Sequence, residues 1–485
     1  MQLKDLLDKV DIVLCTADLD MQISGVSCDS RTVREGELFV AVNGFESDGH
    51  NFIDLAVENG AACILCERAV EGTTPCVVSR DSRKSLAAVA AAWYGYPSEK
   101  LKIIGVTGTN GKTTVTNLVK RVLELCESGK VGLIGTNRNM IGDKELPTAL
   151  TTPESLEIQA LFADMVAEGC KYAVMEVSSH AILLERVYGI IFEVGVFTNL
   201  TPDHLDFHDS LEDYAITKSK LFLNCKSASI NLDDSNAQLM LANASGHILT
   251  YAINNDNADL VAKSVNLYSD KVTFCALTAD DLRRVELNIP GQFSVYNALA
   301  AISVPLLLGL DIEDIVSAVK NCEGVKGRAE VLPITGEFTV MIDYAHTPDA
   351  LRNIINTVRG YSKGRVVTLF GCGGDRDRKK RPLMGKIASD LSDFVIVTSD
   401  NPRTEEPGAI INDIMEGMGD TVIPYRVIEN RREAICWALD NSQPGDTLIL
   451  AGKGHETYQI LGKEKIHFDE REVVADFFAH EGKEG

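Results

Sequence analysis

Residues 105–114, reading Gly-Val-Thr-Gly-Thr-Asn-Gly-Lys-Thr-Thr, set a glycine-rich turn between an apolar run and a helical pattern. Leu101 to Val106 predicts a buried strand, and Thr116 to Leu125 predicts the helix that follows the turn. That order builds a phosphate cradle. Glycines let the backbone approach an anion closely, and a helix N-terminus offers unpaired N–H groups. In such a cradle Gly108, Thr109, Asn110, Gly111 and Thr114 would line a nucleoside triphosphate, Lys112 would reach its terminal phosphates, and Thr113 would ligate Mg²⁺. The match to the strict phosphate-loop pattern is imperfect, because Val106 stands where Gly is expected and glycines fall at 105 and 108. A turn without function is the rival reading; the strand before it and the helix after it weigh against that.

Length bounds the rest. A chain of 485 residues exceeds one ordinary core and suggests about three domains of roughly 150 residues. Lys and Arg total 47 against 70 Asp and Glu, a net charge of −23. Such a charge argues against a nucleic-acid or anionic-membrane surface while permitting a local basic pocket for a small anion. The acidic, amphipathic N-terminus is unlike a signal peptide, and no apolar run approaches a membrane span. Twelve cysteines are scattered through apolar runs. Cys63 and Cys66 have zinc-like spacing, but with no second pair and no neighbouring His pair they read as two core cysteines of one strand. A reducing cytoplasm without disulfides is expected.

Three blocks follow one another: residues 1–98, 99–327 and 328–485. The first alternates short apolar runs (Leu38 to Val42, Ala61 to Leu65, Cys76 to Val78) with helical patterns such as Phe52 to Glu58, and ends near Tyr96 and Pro97. In the second, the apolar strands Tyr172 to Met175 and Val194 to Phe197 end directly in polar clusters. The third runs strand (Thr339 to Ile342), helix (Ala350 to Val358), strand (Val366 to Phe370), helix, strand (Phe394 to Thr398) and a last strand, Thr447 to Ala451. An α/β fold is expected, with a phosphate-loop sheet in the centre and a Rossmann-like sheet at the C-terminal end. In open parallel sheets, ligands bind at the carboxyl ends of strands.

The chemistry-bearing residues cluster at those ends. Glu176 follows a buried strand, where a second Mg²⁺ ligand beside the phosphate loop is needed; a strand-terminal Glu can equally be a cap. The next strand delivers Asp203, His204, Asp206 and His208, a set suited to a metal or a transferring phosphate, or to capping a helix. Four loops in the third block each follow an apolar strand: Asp343 to Pro348, Gly371 to Arg378, Ser399 to Arg403 and Ala451 to Glu456. Glycines with Arg and Lys favour anionic groups, while Asp400 and Glu456 beside Arg403 suit a ligand carrying both ammonium and carboxylate.

At these residues the chain resembles the Mur ligases, ATP-dependent amino-acid-adding enzymes of peptidoglycan synthesis. The resemblance spans essentially the whole sequence. It includes Asp29-Ser-Arg31, Gly36 to Ala41, Asp48-Gly-His50, the phosphate loop, Glu176 to His180, Asp203 to Asp206, Tyr214 to Phe222, Pro290 to Asn297, Gly327 to Glu330 and the four C-terminal loops. The family's loop is similar to Gly-x-x-Gly-Lys-Thr, which accounts for Val106.

The resemblance implies a three-domain architecture: a UDP-sugar-binding domain over residues 1–98, an ATP-binding domain over 99–327 and an amino-acid-binding domain over 328–485. It implies that Lys112 and Thr113 hold ATP and Mg²⁺ with Glu176, that His204 ligates a second Mg²⁺, and that Lys218 is carbamylated to support that metal, with Lys220 as the neighbouring alternative. Asn297, Arg328 and Asp343 match adenine, ribose or phosphate contacts. Ser30, Thr151, Thr152, Pro153, Ser179 and Arg186 match positions that hold UDP-N-acetylmuramoyl-L-alanyl-D-glutamate, with Leu184 departing from the Gln of some relatives.

Asp400, Asn401, Pro402 and Arg403 look like the mark of enzymes that add meso-diaminopimelate, the Arg gripping the distal carboxylate that lysine lacks; Arg376, Gly452 and Glu456 match the other contacts of that site. The implied reaction is phosphoryl transfer to the D-Glu carboxylate, giving an acyl phosphate, followed by attack of the incoming amine. Positioning and electrostatics carry it, with no Ser or Cys nucleophile. A cytoplasmic monomer that closes around its substrates is expected, with boundaries at Pro97 and at Gly324 to Gly327. A lysine-adding relative would differ at the Asp400 to Arg403 loop. A folylpolyglutamate synthetase would lack that loop and the Asp29-Ser-Arg31 block. A non-catalytic scaffold would have lost Lys112, Glu176, His204 or Lys218.

Overall fold

The computed structural model describes residues 1–44, 47–68, 74–148, 150–201, 210–419 and 421–481. The chain divides into two compact units, Met1–Tyr251 with Ser303–Leu310, and Ala252–Ile302 with Asp311–Gly485. Both are mixed α/β. Among the described residues no helix is long and apolar enough to cross a membrane.

The first unit begins with a sheet whose strands run in the order Ile12–Cys15, Cys76–Ser79, Cys63–Cys66, Leu38–Val40, Val26–Ser27. The last four pair in parallel and Ile12–Cys15 joins antiparallel. Helix Ser82–Trp93 starts where the Asp81 carboxylate accepts from Arg83 N and Lys84 N, each at 3.0 Å. Because side chains alternate along a strand, Cys63 and Cys66 point to opposite faces and enter two different apolar clusters. They cannot share a metal ion. Burial pushes the Cys63 thiol up to about 12 and the Cys66 thiol up to about 11, and all twelve cysteines are free.

The central sheet of this unit runs in the order His247–Ala252, Cys225–Asn231, Phe192–Phe197, Lys102–Thr107, Tyr172–Glu176, Val131–Ile134, Asn139–Ile141, Lys144–Leu146. The first six are parallel and the last two turn back antiparallel. Lys102–Thr107 is an inner strand, which explains its continuous apolar run. Gly105 lies level with Met175 on one side and Gly195 on the other, and a Cβ there would stand 2.6 Å from the Phe192 ring. Val106 belongs to this strand, fully buried, so the phosphate loop starts only at Gly108. The following helix, Lys112–Glu127, starts four residues before the expected Thr116. Its first turn, Lys112 to Val115, holds one apolar residue, so it carries no apolar periodicity to reveal it.

In the second unit, Leu260–Leu267, Val272–Leu277 and Leu282–Leu287 form an antiparallel ladder. The α/β rhythm expected over residues 99–327 is interrupted here. The C-terminal sheet runs Glu330–Val331, Thr339–Asp343, Thr447–Ala451, Val366–Phe370, Phe394–Val397, Tyr425–Val427. All pairings but the first are parallel, and apolar clusters cover both faces. The carboxyl ends of four strands therefore form one rim.

Arg431, 1% exposed, braces that rim from below. Its guanidinium meets the fully buried Glu470 at 2.8 Å and donates to Ala451 O at 2.8 Å and Ser399 O at 3.4 Å, the carbonyls where two rim strands end. Removing one partner of a buried ion pair leaves the other charge uncompensated, which costs about 3–5 kcal/mol. Glu470→Ala is expected to lower the unfolding free energy by that amount in urea titration, while Lys386→Ala on an exposed i,i+4 pair with Asp390 changes it by less than about 0.5 kcal/mol.

Candidate active site

The phosphate loop is shaped by backbone that only glycine adopts readily. Gly108 has φ +146° and Gly111 has φ +87° at the start of helix Lys112–Glu127. The end of the neighbouring strand grips the loop: Thr198 Oγ1 donates to Asn110 O at 2.7 Å, Asn199 Oδ1 accepts from Asn110 N at 3.0 Å, and Asn199 O accepts from Thr109 N at 2.8 Å. A Cβ on Gly108 would collide with the Thr198 hydroxyl. Lys112 Nζ folds over the loop and donates to Gly108 O at 2.8 Å and Thr109 O at 2.9 Å. Thr114 is buried in the first helical turn.

Glu176, 1% exposed, stands beside the loop because its strand pairs in register with Lys102–Thr107. Its Oε2 accepts from Thr113 Oγ1 at 3.1 Å and from Thr136 Oγ1 at 3.0 Å, and its Oε1 accepts from Thr136 N at 2.8 Å. Among the described residues no group of three or more His, Cys, Asp and Glu gathers as a cation cage. A hydroxyl and a carboxylate converging beside a phosphate cradle nevertheless fit Mg²⁺, which keeps several waters and takes phosphate oxygens as ligands.

Lys218 is also at this loop. It is 1% exposed, donates from Nζ to Gly108 O at 3.0 Å and lies 4.5 Å over the Tyr214 ring, whereas Lys220 is exposed. His204, with Asp203, Asp206 and His208, lies outside the described residues.

A second group of expected residues meets Glu176 from the other side. Thr152 Oγ1 donates to Glu176 O at 2.8 Å and accepts from Ser178 N at 3.1 Å, while Thr136 Oγ1 lies 3.1 Å from Thr151 Oγ1. Arg186 Nη1 donates to Thr152 O at 3.0 Å, and its guanidinium pairs with Glu154 at 2.7 Å. Ser179, 2% exposed, opens the short helix Ser179–Leu183. Ser30, 7% exposed, lies in the turn after strand Val26–Ser27, its carbonyl accepting from Asn59 Nδ2 at 2.8 Å. Helix Ser82–Trp93 is stitched to the turn before Arg186: Arg83 Nη1 donates to Leu184 O at 3.3 Å and Lys84 pairs with Glu185 at 3.8 Å. Leu184 therefore contributes its carbonyl here, a group indifferent to the Leu-for-Gln difference. Thr136 and Arg83 belong to no motif, and only the fold reveals them.

The remaining expected residues lie in the second unit. Asn297, 6% exposed, is on helix Gln292–Leu307. Asp343 accepts from Ala329 N at 2.7 Å and Ala345 N at 2.9 Å, which places Arg328 with its guanidinium 4.9 Å over the Tyr344 ring. The His455 ring packs against the same ring, tilted 47° with centroids 4.9 Å apart, and burial, then the charges of Arg328 and Arg471, push it down to about 4, so it is neutral at pH 7.

Next along the rim, Lys453 is fully buried and reaches Glu456 at 3.1 Å, Asn401 Oδ1 at 3.2 Å and Asp400 at 3.6 Å. Asn401 Nδ2 in turn donates to Glu456 Oε2 at 2.9 Å. A Cβ on Gly452, whose φ is +112°, would stand 2.8 Å from Asp400 Oδ2. Arg403 is half-buried, holds φ +52°, and donates from Nη1 to Gly374 O at 2.8 Å. Arg376 is exposed on the adjoining loop. One rim thus carries guanidinium, ammonium and two carboxylates, a set matched to a zwitterionic ligand with a further carboxylate.

Family models match three stretches: "Mur ligase family, catalytic domain" over residues 22–97, "Mur ligase middle domain" over 106–304, and "Mur ligase, glutamate ligase domain" over 327–454. The chain is 49% identical over 487 residues to UDP-N-acetylmuramoyl-L-alanyl-D-glutamate--2,6-diaminopimelate ligase of Caldanaerobacter subterraneus subsp. tengcongensis, covering 100% of both chains. It is 47% identical over 463 residues to the protein of that name from Clostridium botulinum, covering 94% of this chain and 95% of the other. A solved structure of a ligase of that name superposes with TM-score 0.74 at 32% identity, over 99% of each chain. The fold is also that of a MurF ligase from Thermotoga maritima in complex with ADP, at TM-score 0.63 and 21% identity, covering 97% of this chain and 100% of the other.

Gly108→Ala is expected to weaken binding of a nucleoside triphosphate at least roughly ten-fold in calorimetric titration, because the added methyl must displace Thr198 and with it the Asn110 contacts. Gly129→Ala, at an ordinary φ and with the nearest atom 3.8 Å from the added Cβ, leaves binding unchanged.

Proposed function

The chain belongs to the Mur ligase family, and from that footing we propose that it is the ATP-dependent ligase that joins meso-diaminopimelate to UDP-N-acetylmuramoyl-L-alanyl-D-glutamate through an acyl phosphate. The observation that carries the choice of amino acid is Arg403. One guanidinium nitrogen is occupied by Gly374 O, and the side chain shares its rim with Asp400 and Glu456. An ammonium and carboxylate pair at one end of the ligand suits the acidic residues and Arg376, and a distal carboxylate suits Arg403.

In this reading residues 1–98 bind the UDP-sugar, 99–327 bind ATP, and 328–485 bind the amino acid. Gly108 to Thr114 cradle the triphosphate, with Asn297, Arg328 and Asp343 serving adenine, ribose or phosphate. Ser30, Thr151, Thr152, Ser179 and Arg186 hold the nucleotide-sugar peptide.

Thr113 and Glu176 would hold one Mg²⁺, and His204 with a carbamylated Lys218 a second, supplying positive charge where phosphate oxygens gather. The protein's own part is electrostatic and geometric. Lys112 swings from its loop carbonyls onto the transferring phosphate and neutralises charge there. The substrate's D-Glu carboxylate oxygen forms a bond to the γ-phosphorus as ADP leaves. The amine nitrogen then bonds to the acyl carbon as inorganic phosphate departs and the ammonium proton is lost. Both steps require the reactants to be aligned and water to be kept out, which is why the site is built from positioned polar groups rather than a covalent nucleophile.

Lysine offers no distal carboxylate to Arg403, so the half-buried guanidinium gains no anionic partner and the transition state is penalised. Phosphate release with UDP-N-acetylmuramoyl-L-alanyl-D-glutamate and ATP is expected to be at least roughly 10²-fold more efficient in kcat/KM with meso-diaminopimelate than with lysine. Equal efficiencies would make it a ligase indifferent to the distal carboxylate, and release with neither amino acid would refute the reading.

Lys218 is the buried lysine at Gly108 and Lys220 the exposed one, which favours Lys218 as the metal support. Lys218→Ala is expected to fall below roughly 1% of wild-type kcat, the scale set by losing a charged group that positions a transferring phosphoryl, with Lys220→Ala near wild type. The opposite pattern in the same assay transfers the role to Lys220.

A further inference from the structure

Arg381 belongs to none of the clusters discussed above, yet it is a fully buried cation in the C-terminal sheet's helical layer, at the start of helix Lys380–Leu391. Its guanidinium forms a fork on Glu405, with Nη2 2.7 Å from Oε1 and Nη1 2.9 Å from Oε2. Nη1 also reaches Asp413 Oδ2 at 2.8 Å, and Nη2 donates to Gly373 O at 3.3 Å. A buried ion cluster used only to join two helices would be no better than well-packed apolar side chains. This one continues into the rim.

Glu405 Oε1 also accepts from Asp375 N at 2.6 Å. The Asp375 carboxylate in turn accepts from Thr404 Oγ1 at 2.7 Å and Thr404 N at 3.2 Å. Beside these bonds, Gly374 N donates to Asn401 O at 2.9 Å and Arg403 Nη1 donates to Gly374 O at 2.8 Å. The loop carrying Arg376 and the loop carrying Asn401 and Arg403 are therefore tied at five points, and three of those ties pass through the Arg381–Glu405 pair or its neighbour Thr404. Both Asp375 and Arg403 hold left-handed backbone, at φ +52° each, a conformation that persists in non-glycine residues only where surrounding contacts enforce it. The Arg381 guanidinium holds the Glu405 carboxyl down at about 2, so the clamp stays ionised through the physiological range.

We infer that Arg381 is a positioning residue for amino-acid selection: through Glu405, Asp375 and Thr404 it locks two rim loops into one body, so that Arg403 meets the distal carboxylate of the incoming diamino acid without having to be ordered first. The inference rests on the functional reading above and adds to it the residue that sets the geometry of the selecting Arg. Arginine is required because its planar fork binds both Glu405 oxygens at once, which a lysine ammonium cannot do.

The test compares wild type, Arg381→Lys and Thr404→Val by steady-state phosphate release, varying each of the three substrates in turn, with thermal denaturation of each variant alongside. Thr404 is exposed and, among the described residues, its hydroxyl bonds across to Asp375 alone, so its loss leaves the core intact. The expected result is a KM for meso-diaminopimelate raised about ten-fold or more in Arg381→Lys and about three-fold in Thr404→Val, with the KM values for ATP and the UDP-dipeptide within about two-fold of wild type. The preference for meso-diaminopimelate over lysine falls in parallel.

Variants that keep the wild-type KM for meso-diaminopimelate, or in which all three KM values rise together, overturn the inference. Should Arg381→Lys fail to fold, Thr404→Val decides alone by the same criteria. A wild-type protein that releases no phosphate with meso-diaminopimelate refutes the functional reading and the inference with it. An active wild type with unaltered variants refutes the inference alone.

Discussion

In-register parallel pairing of three strands is the constraint on which the phosphate site depends. Lys102–Thr107 lies between Tyr172–Glu176 and Phe192–Phe197, so that Glu176 is level with Val106 and Phe197 with Thr107. The three chains therefore leave the sheet at the same height, and the carboxylate, the glycine turn and the Thr198–Asn199 pair arrive together. A one-residue slip would turn Glu176 to the other face of the sheet. Gly105 and Gly195, opposite one another, make room for the Phe192 ring and for Cys225 and Phe222, which a Cβ at either position would displace.

The C-terminal rim depends on a different device, buried charge. Arg431, Arg381 and Lys453 are each 0–1% exposed, and each is paired with carboxylates and with backbone or amide oxygens of loops that leave the sheet. Burying three cations costs desolvation energy that apolar packing would not. Their return is directional: a guanidinium demands oxygens in fixed places, so it specifies loop geometry where an apolar side chain would merely fill space. Arg431 does this at the strand ends and Arg381 one layer outward. Lys453 keeps Asp400, Asn401 and Glu456 converged in a pocket that would otherwise contain two mutually repelling carboxylates.

The fold was legible where the chain's own periodicity is strong. The strands Val366–Phe370 and Thr447–Ala451 lie where the apolar runs place them, Thr339–Asp343 and Phe394–Val397 differ by a residue at one end, and the short edge strands Glu330–Val331 and Tyr425–Val427 carry no run that announces them. Less was legible where side chains pack against partners far away in sequence. The first turn of helix Lys112–Glu127 holds one apolar residue and so shows no apolar face. The antiparallel ladder of Leu260–Leu267, Val272–Leu277 and Leu282–Leu287 has partly exposed, mixed faces, and its bulge between Lys263 and Asn266 breaks the alternation that would have announced it. In the candidate site, Thr113, Glu176 and the four C-terminal loops were visible as motifs, but Thr136, Arg83 and Arg381 were not. Their partners lie 40, 101 and 24 residues away, and nothing local marks a threonine or arginine as the one that closes such a bond.

By itself the sequence determined the chemical inventory: a glycine turn before Lys112 and Thr113, a carboxylate at Glu176, paired lysines at 218 and 220, and Arg403 in its loop. These are local facts, since residue type and spacing decide which groups can cradle phosphate or pair with a carboxylate. Only the tertiary structure decided which of equivalent groups does what. Lys218 turns inward to Gly108 while Lys220 faces solvent, and Cys63 and Cys66 separate onto opposite faces of one strand. The reason is that orientation follows from the register and burial of the whole element. Neighbours distant in the sequence set both, and a motif read along the chain does not contain them.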